Sequence, residues 1–171
     1  SDTYEQATSN LKYYDRIKAY VAKFQDTHFS ISQNLNPIYL GFFLDLVDGK
    51  YIVAEKNPRL LAYMNAYNGS ETAVVEEINV GDEVVEIDGK KVQDAAKELE
   101  PYISASTQAY RMKNAAESLT FRNFRFPEQN FAVVTFKKNI SDALVKIKIP
   151  WFYSAIYGNR AEILYFFKHN N

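Results

Sequence analysis

Fifteen residues, Ile78 to Val92 (INVGDEVVEIDGKKV), constrain this chain more than any other stretch. Gly81-Asp82 and Asp88-Gly89 are tight-turn dipeptides, because glycine reaches positive φ without a Cβ clash and aspartate tolerates it. Between them Val84, Val85 and Ile87 form a short apolar run, and Val92 follows the second turn. A β-branched run bounded by such turns reads as a strand, so the stretch predicts a local unit of two strands joined by tight turns. Everything on either side has to pack against it.

The flanks carry matching signals. Pro37 opens a strand through Ile38-Tyr39-Leu40-Gly41-Phe42-Phe43-Leu44, in which Phe42, Leu44 and Leu46 share a face. Asp48-Gly49 predicts a hairpin with a return strand from Tyr51 to Glu55. Pro58 begins a short helix running to about Tyr67, stopped by Asn68-Gly69-Ser70. Beyond the central unit, Gln93 to Glu100 reads as a helix bounded by Pro101, and a second helix runs from Ser104 or Ser106 to Leu119. Phe121, Phe124 and Phe126 alternate like a half-buried strand. Strands follow over Phe131 to Lys138 and Leu144 to Ile149, the latter with Val145, Ile147 and Ile149 on one face and Lys146 and Lys148 on the other. The tail from Phe152 is aromatic-rich, with helical character from Arg160 to Lys168.

At the other end, Tyr4, Ala7, Leu11, Tyr14, Ile17, Val21 and Phe24 recur at spacings of three and four, one face of an amphipathic helix. The helix ends near Gln25, where Asp26-Thr27-His28-Phe29-Ser30 competes for local backbone hydrogen bonds. His28 thus lies in a polar turn just past a helix end. A histidine there serves either as a surface or capping residue or as a proton-transfer group, and the spacing alone leaves both open.

Charge and residue usage exclude several classes. Net charge is -1 with both signs interspersed, so no basic footprint for nucleic acid or an anionic membrane exists. Arg111, Lys113, Arg122 and Arg125 give one local positive bias, best read as a solvated face. With no cysteine, disulfides and thiolate chemistry are excluded; with only His28 and His169 as histidines, no metal site and no cofactor is expected. No apolar run approaches the roughly 20 residues of a membrane span. The 171 residues, 47% hydrophobic, suffice for one domain and a fraction, while 13 Tyr and 12 Phe exceed a small core's needs. Some aromatics are therefore expected at an interface with an absent domain or a second copy in a homodimer. Neither Ser1 at the start nor the short tail looks like a natural boundary, so a longer parent is expected.

The central unit resembles the middle segment of a PDZ domain, and Tyr39-Leu40-Gly41-Phe42 resembles that family's Gly-Leu-Gly-Phe loop, with Tyr39 in place of the first glycine. In PDZ domains this loop offers backbone N–H groups to a terminal carboxylate, beside a groove that accepts a peptide as an added strand. Resemblance implies peptide binding by Tyr39, Leu40, Gly41 and Phe42, either of a chain end or of an internal strand, with the Gln93–Glu100 helix lining the groove. The whole order, from helix and Asp-Thr-His turn to Ile149-Pro150-Trp151, resembles the N-terminal half of the tail-specific (C-terminal-processing), tricorn-like serine peptidases.

That second resemblance implies an α+β fold: a PDZ-like, partly open β-barrel or sandwich with helical insertions, preceded by an N-terminal helix. It divides the chain into a helical cap at 1–34, a PDZ-like domain at 35–150, and a linker or start of a catalytic domain at 151–171. It assigns His28 as general base, since a neutral imidazole near pH 7 is what drawing a proton from a serine hydroxyl requires. The nucleophile and acidic partner would belong to the missing C-terminal catalytic domain, because Ser154 precedes no helix-opening small-residue turn. Partners would be that domain and a peptide or protein substrate, in a periplasmic or secreted bacterial setting, and the fragment would be inactive alone. The alternative is a stand-alone PDZ-type interaction module.

Overall fold

Helix α1 (Asp2–Ala22) leads through the Asp26–Ser30 turn to β1 (Ile38–Tyr39), and Asp48-Gly49 then joins β2 (Phe42–Val47) to β3 (Lys50–Lys56). A computed structural model of the chain describes residues 2–31, 37–62, 77–156 and 161–164. Asp88-Gly89 joins β4 (Glu83–Ile87) to β5 (Lys90–Lys91). Both Asp-Gly turns hold positive φ at each residue, 50° and 77° in the first, 52° and 76° in the second. That is the type I′ geometry, whose twist suits antiparallel strands.

Helix α2 (Val92–Leu99), a 3₁₀ turn (Glu100–Tyr102) and α3 (Gln108–Ser118) follow, then β6 (Phe121–Arg122), β7 (Phe131–Lys137), β8 (Leu144–Pro150), β9 (Phe152–Ile156) and β10 (Ala161–Leu164). The strands make two open antiparallel sheets, β2-β3-β4-β7-β8 with β5 beside β4, and β10-β9-β1-β6. The architecture is α+β, open antiparallel sheets with an N-terminal helix, and among the described residues neither sheet closes into a barrel.

One core joins the two sheets. Phe42, Val53, Val84 and Phe136 from the larger and Ile38 and Phe152 from the smaller are buried together, with the Phe42 and Phe136 rings 5.5 Å apart. Burial of such side chains stabilises by about 1.5–3 kcal/mol each. Register shifts between Val84 and Glu86 against β7, a bulge that lets Val84 and Ile87 both point inward although three residues apart.

The Ile78–Val92 stretch is tied to its neighbours through its turns. Gly81 N–H donates to Val53 O and Val53 N–H to Asp82 O, both at 2.9 Å. Asp88 N–H donates to Val133 O at 2.8 Å, and its Oδ1 accepts from Val133 N–H at 2.7 Å. The Asp82 carboxylate is buried and accepts from Asn79 N–H at 2.8 Å, from Asn139 N–H at 3.0 Å and from the Lys138 ammonium.

Three expectations need revision or fall outside the described residues. Residues 58–62 are helical as expected, while 63–70 lie outside them. Residues 161–164 form a strand on β9 rather than helix, because the open edge of β9 offers a ladder that outweighs weak helical propensity; 160 and 165–168 lie outside. Of the expected Phe121–Phe126 strand only Phe121–Arg122 pairs, with β1, and Arg125 turns at φ 47°.

Candidate functional site

Helix α1 ends at Ala22, and Gln25 takes the left-handed conformation that closes helices. The next residues fold back on themselves: Asp26 Oδ1 accepts the His28 N–H at 2.9 Å, and Phe29 N–H donates to Asp26 O at 3.2 Å. Thr27 fastens this turn to the loop before α3. Its N–H donates to Ser106 Oγ at 3.2 Å, Ser106 N–H donates to Thr27 Oγ1 at 3.2 Å, and the two hydroxyl oxygens stand 2.8 Å apart. Such a reciprocal pair fixes the backbone immediately ahead of His28.

The His28 side chain is exposed and makes no hydrogen bond or ion pair among the described residues. Beside it runs a ladder of exposed aromatics, Tyr20, Phe24 and Phe29, with ring centroids 5.6 and 5.3 Å apart in edge-to-face contact. Among the described residues no carboxylate is bonded to this imidazole to orient it. The chemistry it could perform needs a hydroxyl and an acid brought from outside the described residues.

The loop expected to grip a peptide lies deeper than its sequence suggests. Tyr39, Leu40 and Phe42 are buried, and Leu40 N–H donates to Thr120 O at 2.9 Å. Tyr39 pairs with Phe121 on one side and Phe152 on the other, and burial, helped by Glu55, pushes its phenol well above the ordinary range. Gly41 sits at φ 88°, its carbonyl accepts from Asn57 N–H at 2.8 Å, and a Cβ built on it would stand 2.7 Å from Leu61 Cδ2. Gly41→Ala therefore meets both backbone strain and the inserted helix. It is expected to cost about 1–3 kcal/mol of stability, read from the denaturant midpoint.

The groove helix differs from expectation. α3 lies along β2, the edge strand of the larger sheet, whereas the Gln93–Glu100 segment packs behind it on β4 and α3. The reason is local: Thr107 caps α3 by accepting Tyr110 N–H at 3.2 Å, and Ala115 and Ala116 give α3 a thin buried face that allows close approach to a strand. α3 also links the two candidate regions. Ser106 ahead of it holds the His28 turn and Thr120 after it holds Leu40, across a helix of 11 residues, about 16 Å. His28 and Tyr39–Phe42 share no hydrogen bond or ring contact among the described residues.

Two features had no clear sequence signal. Asp45 on β2 accepts Leu46 N–H at 2.9 Å through its own Oδ1, and Lys113 of α3 reaches the same oxygen at 3.6 Å. A side chain thus already occupies an edge-strand amide. Arg122, expected on a solvated face, is instead half-buried against the Trp151 ring and hydrogen-bonded to three carbonyls.

A family model described as a PDZ domain matches residues 36–155, more than half of the 171-residue chain. The chain belongs to the PDZ domain family. No characterised protein matches it in sequence. Among solved structures, mature CPAF matches with a TM-score of 0.59 at 18% identity over 78% of this chain, and an alanine mutant of CPAF with 0.59 at 19% over 80%. At that identity the likeness is one of fold. The chain spans 23% of each CPAF chain.

Proposed function

We propose that this chain is the peptide-engaging PDZ module of a serine peptidase, that His28 is the general base, and that the serine and its acidic partner lie in a further part of the parent protein. The observation that carries the reading is an exposed imidazole on a turn pinned by Thr27 and Ser106, directly ahead of a PDZ domain whose fold is that of a segment of CPAF, a serine protease. The Tyr20, Phe24 and Phe29 ladder supports it, since exposed aromatics beside a proton acceptor suit the face on which a catalytic half packs. Residues 1–34 form the cap that carries the base, and 35–150, joined by the buried Trp151 and Phe152 of the β9 end, the binding module.

The peptide joins β2 as an added strand beside α3. Strand addition in mid-sequence is favoured over chain-end capture, because Leu40 N–H is already committed to Thr120 and Leu61 crowds Gly41. Asp45 then competes with the incoming strand for Leu46 N–H. Asp45→Ala frees that amide, worth about 1 kcal/mol, and is expected to raise affinity for an extended peptide about fivefold in a fluorescence titration.

The deciding experiment is expression of the whole parent reading frame. It is expected to hydrolyse casein and to be silenced by a serine-directed reagent, while the 171 residues alone do neither. A parent that binds peptides but cleaves none would leave a PDZ-type interaction module.

A further inference from the structure

A second cleft, away from the β2 edge, lies between α1 and α3 and is floored by the segment around Phe121–Phe124, with a volume of about 440 Å³. That is within the size range of ligand clefts, about 300–1,000 Å³. Its walls combine aromatic rings, Tyr102 and Tyr110 among them, with the side-chain amides of Asn114 and Asn123. Two cations also line it: Lys18 from α1 and Arg122 from β6.

Neither cation has a carboxylate within ion-pair distance among the described residues. Lys18 lies over the Phe124 ring at 5.0 Å. Arg122 lies over Trp151 at 4.9 Å; its Nε donates to Arg125 O at 3.1 Å, and its Nη1 to Ser118 O at 3.0 Å and Leu119 O at 3.1 Å. Its Nη2 has no hydrogen-bond partner among the described residues. The surrounding acids are otherwise placed: Asp15 Oδ1 accepts Arg125 N–H at 3.0 Å, Asp88 Oδ1 is bound to Val133 N–H at 2.7 Å, and Glu117 on the cleft wall is exposed and makes no ion pair among the described residues.

Half-burying two cations with no carboxylate in ion-pair contact is unfavourable, and proteins normally pair such groups. We infer that the cleft between α1 and α3 binds a carboxylate-bearing peptide segment, its carboxylate taken by Arg122 and Lys18 and its backbone and side chains by the amides and aromatic rings of the walls. The Arg122 Nη2 and the Lys18 ammonium each offer a charge-assisted donor to a carboxylate oxygen, the asparagine amides match peptide N–H and C=O groups, and the rings accept apolar side chains. Burial also lowers the Lys18 pKa, with Asp15 opposing it, and burial with the neighbouring Arg125, opposed by Asp88 and Asp15, pushes Arg122 down to about 10, the direction a bound anion would reverse. Thr27 and Ser30, on either side of His28, also line the cleft, yet carboxylate binding there requires neither a catalytic role for His28 nor strand addition at β2.

The carboxylate has two sources, a chain end or an acidic side chain, and four probes separate them. These are acetylated phenylalanyl-glycine as the free acid and as its amide, and the acetylated dipeptide amides phenylalanyl-aspartate and phenylalanyl-asparagine. Each is titrated into the full chain by calorimetry and by the emission of Trp151, the sole tryptophan, which stacks on Arg122. At least one carboxylate probe is expected to bind tenfold or more tighter than its neutral partner, and the tighter of the two names the source. Lys18→Gln and Arg122→Gln remove that preference, and Glu117→Gln strengthens it by relieving repulsion at the wall. Should Arg122→Gln fail to fold, Lys18→Gln and Asn114→Ala carry the test. Equal binding of charged and neutral probes, binding of none, or a preference untouched by Lys18→Gln overturns the proposal.

Discussion

Asp82→Ala is expected to destabilise the domain by about 3–5 kcal/mol, the loss seen when one partner of a buried ion pair is removed. Asp82 is buried, and its carboxylate collects the Asn79 and Asn139 amides and the Lys138 ammonium. Truncation orphans the two amides and leaves the half-buried Lys138 ammonium with the Glu77 carbonyl but no counter-charge, so the Gly81-Asp82 turn loses the anchor that seats β4 against β3. Urea unfolding followed by circular dichroism measures the effect, and a change under 1 kcal/mol contradicts the account. Acid supplies an independent check. Burial alone would raise this carboxyl, but the bonds from Lys138, Asn139 and Asn79 outweigh it and hold the group below the ordinary value. A carboxyl depressed in the folded state contributes stability that is whole above its unfolded pKa, about 3.9, and is lost as pH falls through the folded value. Stability of the native chain should therefore fall steeply below about pH 4. In Asp82→Asn that part of the acid slope should vanish, while the midpoint at neutral pH drops by less than in Asp82→Ala.

Much of this fold was legible because its turns are chemically explicit. Asp48-Gly49 and Asp88-Gly89 each adopt the positive-φ pair their residues permit, and the alternation in β8 places Ile147 and Ile149 inward with Lys146 and Lys148 exposed. The bulge at Val84–Glu86 was invisible, since periodicity assumes an unbroken pleat. Which helix lines β2 was not legible either: two short helices in succession carry similar patterns, and only packing shows that Ala115 and Ala116 give α3 the thinner face. At the candidate site, the Asp26 turn could be read because it is local, three residues competing for one backbone. The Thr27–Ser106 clasp spans 79 positions and leaves no trace in spacing. Arg122 misled for a related reason. An arginine beside Arg125 on a polar-looking segment reads as solvated, and only the tertiary placement of Trp151 and of the α3 carbonyls makes it half-buried.

In the full-length parent, His28→Ala is expected to lower kcat by about 10⁴-fold or more, some 5 kcal/mol of transition-state stabilisation, with KM nearly unchanged. On the proposed roles, a general base acts on the proton in flight and not on the bound peptide, so its removal would strike the chemical step and leave peptide binding at the β2 edge intact. Thr27→Ala and Ser106→Ala separate catalysis from positioning. Each breaks the same clasp, so each should reduce kcat by about tenfold, and the double variant should lose little more than either alone. A structural role for His28 predicts the opposite pattern: the clasp variants and His28→Ala would all act through stability, shifting the unfolding midpoint in proportion to the lost rate. The exposed imidazole makes no side-chain bond among the described residues, so His28→Ala should leave the midpoint within about 0.5 kcal/mol of the parent's. Full activity in His28→Ala would remove the histidine from the mechanism and leave only the peptide-binding half of the reading standing.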